Sequence, residues 1–389
     1  MRTQVGIVGA GPAGLLLSHL LAGHGIGSVV LESRSRGYVE QRVRAGVLEH
    51  NTIELLREAG VGKRMDAEGM VHEGIELRFG GQGHRIPMTE LTGRTIMVYG
   101  QQEIVKDLIK ARLDAGGQVL FDAEVTGVDG LDTDRPVIRY GDGRTLECDV
   151  VAGCDGFWGV TRQAIPDGVL TVAERVYPFG WLGILAEVAP STDELIYAAH
   201  DRGFMLHSMR SPTLTRLYLQ VAPDEDIGHW PDERIWEELD QRVATDEGFD
   251  LAHGPIVEKA VTPMRSFVAE PMSYGRLYLA GDAAHIVPPT GAKGMNLAIN
   301  DVRVLTGALA AWYGSGDREL LESYSGTCLR RVWRCTHFSW WMTAMLHRFP
   351  DEGEGGFDRR LQLAQLEYVT TSKAAATSLA ENYVGLERV

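Results

Sequence analysis

The amino-terminal segment alternates between short apolar runs and a glycine-rich break. An apolar run over 5–8 leads into the glycine-rich stretch 9–14, which opens a helical pattern over 15–22. A second apolar run over 28–31 ends at Glu32. This order predicts a strand, a tight turn, a helix and a second strand, which together form a βαβ unit.

Hydrophobic spacing beyond this unit predicts further helices and strands. Helical spacing covers 49–59, 102–115, 235–243, 296–313, 319–345 and 359–381. Apolar or alternating runs, which are typical of strands, cover 118–122, 135–140, 176–188, 194–200, 203–210 and 215–221. Consecutive strands without intervening helices favour antiparallel pairing. The pattern therefore predicts an α/β fold, in which a Rossmann-type domain is interrupted by a mixed or antiparallel sheet and followed by C-terminal helices.

The composition excludes several classes of function. The chain has 389 residues, 44% of them hydrophobic, and a formal net charge of −15. This charge argues against a nucleic-acid partner and does not favour an anionic membrane surface, so an anionic ligand would need a local cluster of arginines. Cys148, Cys154, Cys328 and Cys335 lack metal-type spacing. We therefore expect no metal site, no signal peptide or membrane span, and reduced thiols in a cytoplasmic protein.

The glycine-rich stretch has the spacing of a dinucleotide-binding turn. Gly9 allows the tight turn, and Gly11 lets backbone N–H groups approach a pyrophosphate. Gly14, directly after Ala13, lets the helix lie close to the strand. The helix N-terminus then faces the phosphates, and Glu32 can accept hydrogen bonds from a ribose diol.

Two more glycine-containing elements follow apolar runs. Gly281-Asp282 comes after 276–280, where an aspartate can reach the ribityl or ribose hydroxyls of a second nucleotide moiety. Cys154-Asp155-Gly156, with Thr161-Arg162 close behind, comes after 150–152. The three elements in this order resemble the FAD-dependent aromatic hydroxylases, the single-component group A flavoprotein monooxygenases.

The resemblance extends over nearly the whole chain. Six stretches are similar to the 4-hydroxybenzoate 3-monooxygenase family, the p-hydroxybenzoate hydroxylases: 42–49, 174–183, 194–197, 281–296, 338–342 and 381–385. This implies a homodimeric enzyme that uses FAD, NAD(P)H and O2 to convert 4-hydroxybenzoate into 3,4-dihydroxybenzoate. It also implies three regions: a discontinuous FAD-binding domain (1–73, 98–176 and 262–320), a substrate-binding domain (74–97 and 177–261) and a C-terminal helical interface region (321–389).

A hydroxybenzoate needs a clamp for its carboxylate, and Arg210 is the natural candidate. A guanidinium can bind a carboxylate in a bidentate way, and Ser208 and Tyr218 can each donate a further hydrogen bond. Residues two apart on a strand share a face, so Ser208 with Arg210, and Arg216 with Tyr218, can converge. Without the resemblance, each arginine would more simply be a solvated or paired surface charge.

The resemblance also assigns residues to the phenol end of the substrate. It makes Tyr197 the hydrogen-bond partner of the phenol, Tyr383 the next link, and His72 the outlet of a proton relay to solvent, because histidine titrates near neutral pH. The Pro289 carbonyl can accept a hydrogen bond from the substrate hydroxyl, and Thr290 is expected nearby. Taken alone, His72 reads as a surface histidine, and the two tyrosines read as core residues.

The cofactor contacts that the resemblance implies are numerous. A helix starting near Gly291 would direct its first N–H groups at the reduced flavin. Besides the glycine turn and Glu32, the implied cofactor contacts are Arg42, Arg44, Gln102, Arg216, Arg265, Asp282, Lys293 and Asn296. Arg34 and Tyr38 are further candidate contacts, in the segment 33–40 that differs from the best-known members.

The sequence departs from the family where the reductant binds. Trp158 stands where the family commonly has a histidine that is linked to nicotinamide-cofactor binding. Arg34 and Arg36 could pair with a 2′-phosphate, which favours NADPH over NADH, whereas Glu40 opposes this if it points inward. Two alternatives stay open: a related flavin hydroxylase acting on another hydroxylated benzoate, and a non-oxygenating flavoprotein.

Overall fold

A computed structural model describes residues 1–43, 46–350 and 356–385 of the protein, and these residues form four β-sheets. The strands are β1 (Val5–Val8), β2 (Ser28–Leu31), β3 (Val47–Leu48), β4 (Met70–His72), β5 (Ile75–Phe79), β6 (Gln82–Ile86), β7 (Ile96–Val98), β8 (Gln118–Leu120), β9 (Val125–Asp129), β10 (Val137–Tyr140), β11 (Arg144–Glu147), β12 (Val150–Gly153), β13 (Thr171–Ala186), β14 (Leu195–His200), β15 (Gly203–Ser211), β16 (Leu214–Val221), β17 (Ile256–Glu270), β18 (Ser273–Tyr274), β19 (Leu277–Leu279) and β20 (His285–Ile286).

The helices pack around these sheets. They are α1 (Pro12–Gly23), α2 (Arg36–Gln41), α3 (His50–Glu58), α4 (Lys63–Glu68), α5 (Met88–Thr92), α6 (Gln101–Asp114), α7 (Asp232–Val243), α8 (Gly294–Ser315), α9 (Glu319–Glu322), α10 (Tyr324–Leu346), α11 (Phe357–Thr371) and α12 (Lys373–Val384). Among the described residues, none of the helices has the length and apolar character that crossing a membrane requires.

The nucleotide-type sheet has the strand order β18-β19-β12-β1-β2-β8. Its central strands β1, β2, β12 and β19 run parallel and are fully buried, as expected for a sheet covered on both faces. The carboxyl ends of β1, β12 and β19 are neighbours in this order. The three glycine-containing elements predicted from the sequence therefore meet at one edge of the sheet.

The second large sheet has eight strands in the order β20-β17-β13-β16-β15-β14-β5-β6. Its pairs are antiparallel except for β14 with β5, which confirms the predicted mixed sheet. One face packs on α7 through residues such as Ile196 and Leu217. The other face, which carries Tyr197 and Phe204, packs on α10, α11 and α12.

Several element boundaries differ from the predictions. The helix predicted over 319–345 is divided at Ser323, and the one over 359–381 is divided at Ser372, whose side chain accepts a hydrogen bond from Ala375 N and caps α12. The predictions missed β17 and the start of β13. These segments pair with each other while partly exposed, so they lack the apolar pattern of a core strand. The proposed domain borders at 176/177 and 261/262 fall inside these two continuous strands.

Candidate active site

The glycine-rich turn after β1 has the geometry that its spacing predicts. Gly9 has φ +101°, and a Cβ there would lie 2.3 Å from the Cys154 carbonyl oxygen. A Cβ at Gly14 would lie 2.0 Å from the Gly9 carbonyl oxygen, so the helix can approach the strand only without a side chain. A Cβ at Gly11, in contrast, would meet no atom within 4 Å. The backbone at Gly11 is therefore open to a ligand, in front of α1.

Glu32 lies beside this turn at the end of β2. Its Oε2 accepts a hydrogen bond from Ala10 N at 2.8 Å, and its Oε1 accepts one from Arg34 N at 2.9 Å. These bonds orient a carboxylate at the edge of the cleft, where a ribose diol would bind in a Rossmann-type site.

The Gly281-Asp282 turn lies at the end of β19, with Gly281 at φ +64° and the Asp282 side chain exposed. Arg162 connects this turn to the third element: its Nη1 donates to Ala283 O at 2.7 Å, and its Nη2 donates to Phe157 O at 2.6 Å. The Asp155 carboxylate instead accepts hydrogen bonds from Thr161 N and Oγ1, so it stabilises the fold of its own loop.

Sequence reasoning missed Asp301, which positions the Gly281 turn from α8. Asp301 Oδ2 accepts a hydrogen bond from Gly281 N at 3.0 Å and lies 2.6 Å from His285 Nε2. Although burial works against it, the Asp301 carboxylate raises the pKa of His285. The available signal was an aspartate among apolar residues on the buried face of a predicted helix.

A buried chain of charges lies behind the N-terminus of α8. Lys293 Nζ donates to Glu49 Oε1 at 2.6 Å and to Tyr383 O at 3.0 Å, and Arg331 Nη2 donates to Glu49 Oε2 at 2.5 Å. Asn296 accepts hydrogen bonds from Glu49 N and Thr52 Oγ1, and its amide donates to two backbone carbonyls. The side chains of Lys293 and Asn296 are thus held by protein groups, while the first turn of α8 supplies free N–H groups.

The mixed sheet holds a buried arginine without an acidic partner. Arg210, on β15, is 9% exposed; its Nη1 donates to Met209 O at 2.8 Å and lies 3.4 Å from Ser208 Oγ, and its Nη2 donates to Tyr218 OH at 3.1 Å. No carboxylate among the described residues pairs with it, and its buried Nε has no hydrogen-bond partner there. Burial lowers the pKa of Arg210, because it disfavours the charged form. This is the electrostatic environment of an anion site.

The phenol-type residues lie on the same face of this sheet. Tyr197 pairs with Leu206 across β14 and β15, four residues before Arg210, a separation of about 13 Å along the strand. Tyr197 OH lies 2.5 Å from Tyr383 OH, and both rings are buried. The structure thus brings together Arg210, Ser208, Tyr218, Tyr197 and Tyr383.

His72 is not the surface histidine that its sequence context suggests. It is fully buried on β4, and both ring nitrogens lack a hydrogen-bond partner among the described residues. Burial lowers the pKa of His72 to about 4, so the ring is neutral at pH 7. The Thr290 hydroxyl is also buried and accepts a hydrogen bond from Thr343, whereas Pro289 is exposed.

A cluster of aromatic residues that the sequence analysis missed packs beside Tyr218. Trp181 Nε1 donates to His347 Nε2 at 2.7 Å, and the Trp181 ring lies 4.7 Å from Tyr218 and 5.2 Å from Phe204. Burial lowers the pKa of His347 to about 3, which keeps its Nε2 a hydrogen-bond acceptor. Trp181, Phe204 and Tyr218 come from β13, β15 and β16, and His347 directly follows α10. Their convergence therefore needs the tertiary structure.

The residues predicted to bind the reductant lie at the protein surface, where they are exposed or half-buried. Arg36 Nε pairs with Glu40 at 2.7 Å on α2, whereas the Arg34 guanidinium lies over the Tyr38 ring at 5.5 Å. Arg265 lies over Phe157 and Trp158, and the Trp158 side chain is 82% exposed.

The remaining predicted cofactor contacts are dispersed. Arg42 is exposed at the end of α2, Gln102 is in the first turn of α6, and Arg216 pairs with Glu258 at 3.1 Å. Arg44 lies outside the described residues.

Comparison with known proteins places this arrangement in a family. The model of the FAD binding domain family matches residues 2–339. The p-hydroxybenzoate hydroxylase of Acinetobacter baylyi is 47% identical over 390 residues, covering 99% of this chain and 96% of that protein. The 3-amino-4-hydroxybenzoate 2-monooxygenase of Streptomyces cremeus is 27% identical over 350 residues, covering 85% and 84%.

Solved structures share the fold at lower identity. A p-nitrophenol 4-monooxygenase of Pseudomonas putida superposes with a TM-score of 0.81 at 19% identity, covering 100% of both chains. A Diels–Alderase of pyrroindomycin biosynthesis reaches 0.79 at 22% identity, covering 99% of this chain and 81% of that one. Because proteins with such different names share one architecture, the fold alone does not identify the reaction.

Proposed function

This chain belongs to the FAD binding domain family, and on that premise we propose that it is a flavoprotein monooxygenase that converts 4-hydroxybenzoate into 3,4-dihydroxybenzoate. NAD(P)H and O2 are consumed, and water and NAD(P)⁺ are the coproducts. The observation that carries the proposal is Arg210, a buried cation to which the described residues offer no acidic partner and which shares one sheet face with Tyr197 of the buried Tyr197–Tyr383 pair. A ligand with an acid and a phenol at opposite ends of a ring fits this spacing.

The residues present fit FAD. Gly11 presents uncovered backbone in front of α1, Glu32 offers an oriented carboxylate, and exposed Asp282 follows β19 at the adjacent edge of the sheet. These residues would hold the two nucleotide moieties, with the first turn of α8 directed at the flavin ring. When bound and reduced by NAD(P)H, FAD supplies the activation of O2 that the reaction needs.

The residues around the aromatic acid bind it, orient it and move its proton. Arg210, supported by Ser208 and Tyr218, would bind the carboxylate and so fix the orientation of the ring. Tyr197 OH accepts the phenolic proton while donating its own to Tyr383 OH, which makes the ring a better nucleophile. Burial of both tyrosines raises their pKa values, so they pass a proton on rather than remain ionised.

His72 is proposed as the acceptor at the far end of this relay. It is neutral at pH 7 because burial lowers its pKa to about 4, so a ring nitrogen can accept a hydrogen bond and pass a proton on but is too weak a base to retain it. No hydrogen bond joins it to Tyr383 among the described residues, so the proposed transfer needs intervening groups or waters. Its burial also means that the proton leaves for solvent through neighbouring groups rather than from the ring itself.

We propose a cytoplasmic homodimer that prefers NADPH. Free, buried thiols fit a reducing compartment. Exposed apolar residues on α11, namely Phe357, Leu361 and Tyr368, provide a surface for a second copy. The preference for NADPH depends on Arg34, because Glu40 already engages Arg36.

Product analysis tests the proposal. The FAD-loaded protein is incubated with 4-hydroxybenzoate and O2, with NADPH and NADH in turn, and products are separated by liquid chromatography. We expect 3,4-dihydroxybenzoate in proportion to the reductant consumed. If instead another hydroxylated benzoate is the better substrate, the related-hydroxylase alternative holds; oxidation of reductant without any oxygenated product would favour a non-oxygenating flavoprotein.

A further inference from the structure

A second basic pocket lies between α10 and the C-terminal end of α12. It has a volume of about 210 Å³ and is lined by Glu49, Arg330, Arg331, Arg334, Cys335, Phe338, Asn382 and Gly385. None of these residues belongs to β13, β15 or β16, which build the Arg210 site. Phe338 packs against Tyr383, and Lys293 Nζ lies 5.1 Å from the Phe338 ring, so the pocket adjoins the phenol end of the aromatic-acid site but has its own set of arginines.

The lining of this pocket is positively charged, whereas the whole protein has a negative net charge. Three arginines line the pocket in a chain whose net charge is −15, and Glu49 is the single acidic residue among the lining residues. Both oxygens of Glu49 are already engaged, one by Lys293 and one by Arg331. The Arg334 guanidinium has no acidic partner among the described residues, and Arg330 reaches only the Thr327 hydroxyl at 3.4 Å. The pocket thus holds an excess of positive charge.

Arg331 gives the strongest indication of a ligand. Its side chain is 10% exposed, and its buried Nε has no hydrogen-bond partner among the described residues. A buried N–H donor without a partner is destabilising, and the cost is removed when an acceptor enters. Arg331 lines the pocket, so an oxyanion there can provide this acceptor while Nη2 remains paired with Glu49.

Apolar residues at the base of the pocket determine which kind of oxyanion fits. Phe338 and Cys335 are buried beneath the arginines and offer apolar surface. We propose that this pocket binds a small carboxylate with an apolar body, with its carboxylate on the three guanidiniums and its body on Phe338. Inorganic oxyanions would satisfy the arginines but leave the apolar floor uncovered. The proposal does not depend on the reaction at the Arg210 site.

Benzoate is a suitable probe, and two titrations of the FAD-loaded protein separate the sites. Calorimetry counts all binding sites per chain, and flavin absorbance detects only those beside the flavin. We expect two sites, of which one is silent in the flavin spectrum. Replacing Arg330→Gln together with Arg334→Gln should weaken the silent site about tenfold or more, because charge-assisted hydrogen bonds are lost. Arg331→Lys, which removes the Nε–H but keeps a cation beside Glu49, should weaken it as well.

A matched control removes the same charge elsewhere. Arg360→Gln together with Lys373→Gln takes two exposed cations from α11 and α12 and should leave the silent site unchanged. One site per chain, or equal weakening by both double variants, would overturn the proposal. Phosphate binding there more tightly than benzoate would overturn the carboxylate assignment. Loss of the flavin-linked site alone would count against the proposed function and not against this pocket.

Discussion

Lys293 and Arg210 are both buried cations, but among the described residues only Lys293 has a carboxylate partner. Lys293 is 1% exposed and donates to the Glu49 carboxylate and to the Tyr383 carbonyl. Arg210 is 9% exposed, but its partners are hydroxyls and one carbonyl, and its Nε is unpaired among the described residues. The fold therefore neutralises one charge itself and leaves the other for a ligand. A buried charge indicates a binding site only where the protein does not balance it.

The largest effect is expected from breaking the balanced pair. Glu49→Gln leaves Lys293 and Arg331 without their carboxylate, which should lower the free energy of unfolding by about 3–5 kcal/mol. Chemical denaturation of the FAD-loaded protein measures this. The control is Glu54→Gln in α3, the helix that begins directly after Glu49. The exposed pair of Glu54 with Arg57 should contribute about 1 kcal/mol or less. Equal losses in the two variants would mean that the buried chain of charges has no special role.

The unbalanced cation should respond in ligand binding rather than in stability. Arg210→Lys removes the bidentate geometry, so we expect 4-hydroxybenzoate to bind more weakly by about 2–3 kcal/mol. Titration of the flavin absorbance with substrate gives the dissociation constant, and FAD content should remain normal. An unchanged dissociation constant would remove Arg210 from the carboxylate role.

The contrast between partnered and unpartnered groups extends to buried histidine. Burial lowers the pKa of His72 to about 4, so the folded state prefers the neutral ring, while the unfolded chain takes up a proton near pH 6.5. The stability that depends on neutral His72 is therefore present above pH 6.5 and is lost as the pH falls towards 4. His72 alone should contribute a slope of about 1.4 kcal/mol per pH unit. The buried His207 and His347 add slopes in the same direction, because burial lowers their pKa values to about 4 and about 3.

Denaturation at several pH values checks this. His72→Gln should reduce the slope by the share of one histidine, whereas His229→Gln, at a side chain that is 68% exposed, should not. The same slope in all three proteins would show that His72 is not held neutral by the fold.

Replacing Tyr197→Phe tests the phenol end of the same site. Substrate affinity should change by about 1 kcal/mol or less, because one neutral hydrogen bond is lost. Product formed per NAD(P)H consumed should fall, with the remaining oxygen appearing as H2O2. Tyr177→Phe, which removes a buried hydroxyl beside Ser266, is the control and should remain coupled. Full coupling in Tyr197→Phe would contradict the relay.

The smallest effect is expected for the exposed residues Arg34 and Arg36, which also differ in whether a carboxylate pairs with the guanidinium. Arg36 is already paired with Glu40, so Arg34→Ala should raise the KM for NADPH several-fold and Arg36→Ala should raise it less. An exposed ion pair contributes about 1 kcal/mol or less, and high salt should reduce the difference. The KM for NADH should hardly change. Equal effects on both reductants would leave the NADPH preference without support.

Local sequence was sufficient to predict the nucleotide-binding turn, because that turn is formed by backbone geometry. Gly9 and Gly14 have contacts that exclude a side chain, and strand–turn–helix order places them before the structure is known. Hydrophobic spacing likewise located α3, α6, α7 and α8 to within a few residues. It failed for β17 and for the start of β13, whose exposed parts are held by pairing with each other rather than by burial.

The substrate half needed more than local pattern. Chemistry and family resemblance selected Arg210, Tyr197 and Tyr383, but no local pattern joins Tyr197 to a residue 186 positions away. Asp301, Trp181 and His347 were missed because their partners are distant in the chain.

The sequence by itself thus determined the nucleotide turns, the class of fold and the residue types available for binding an aromatic acid. Only the tertiary structure decided which buried charges are neutralised by the protein and which are left for ligands. The physical reason is the separation along the chain of the residues that set each property. A glycine turn depends on φ angles and contacts set within a few residues and one neighbouring strand, whereas the balance of a buried charge depends on every group that folding brings within hydrogen-bond distance.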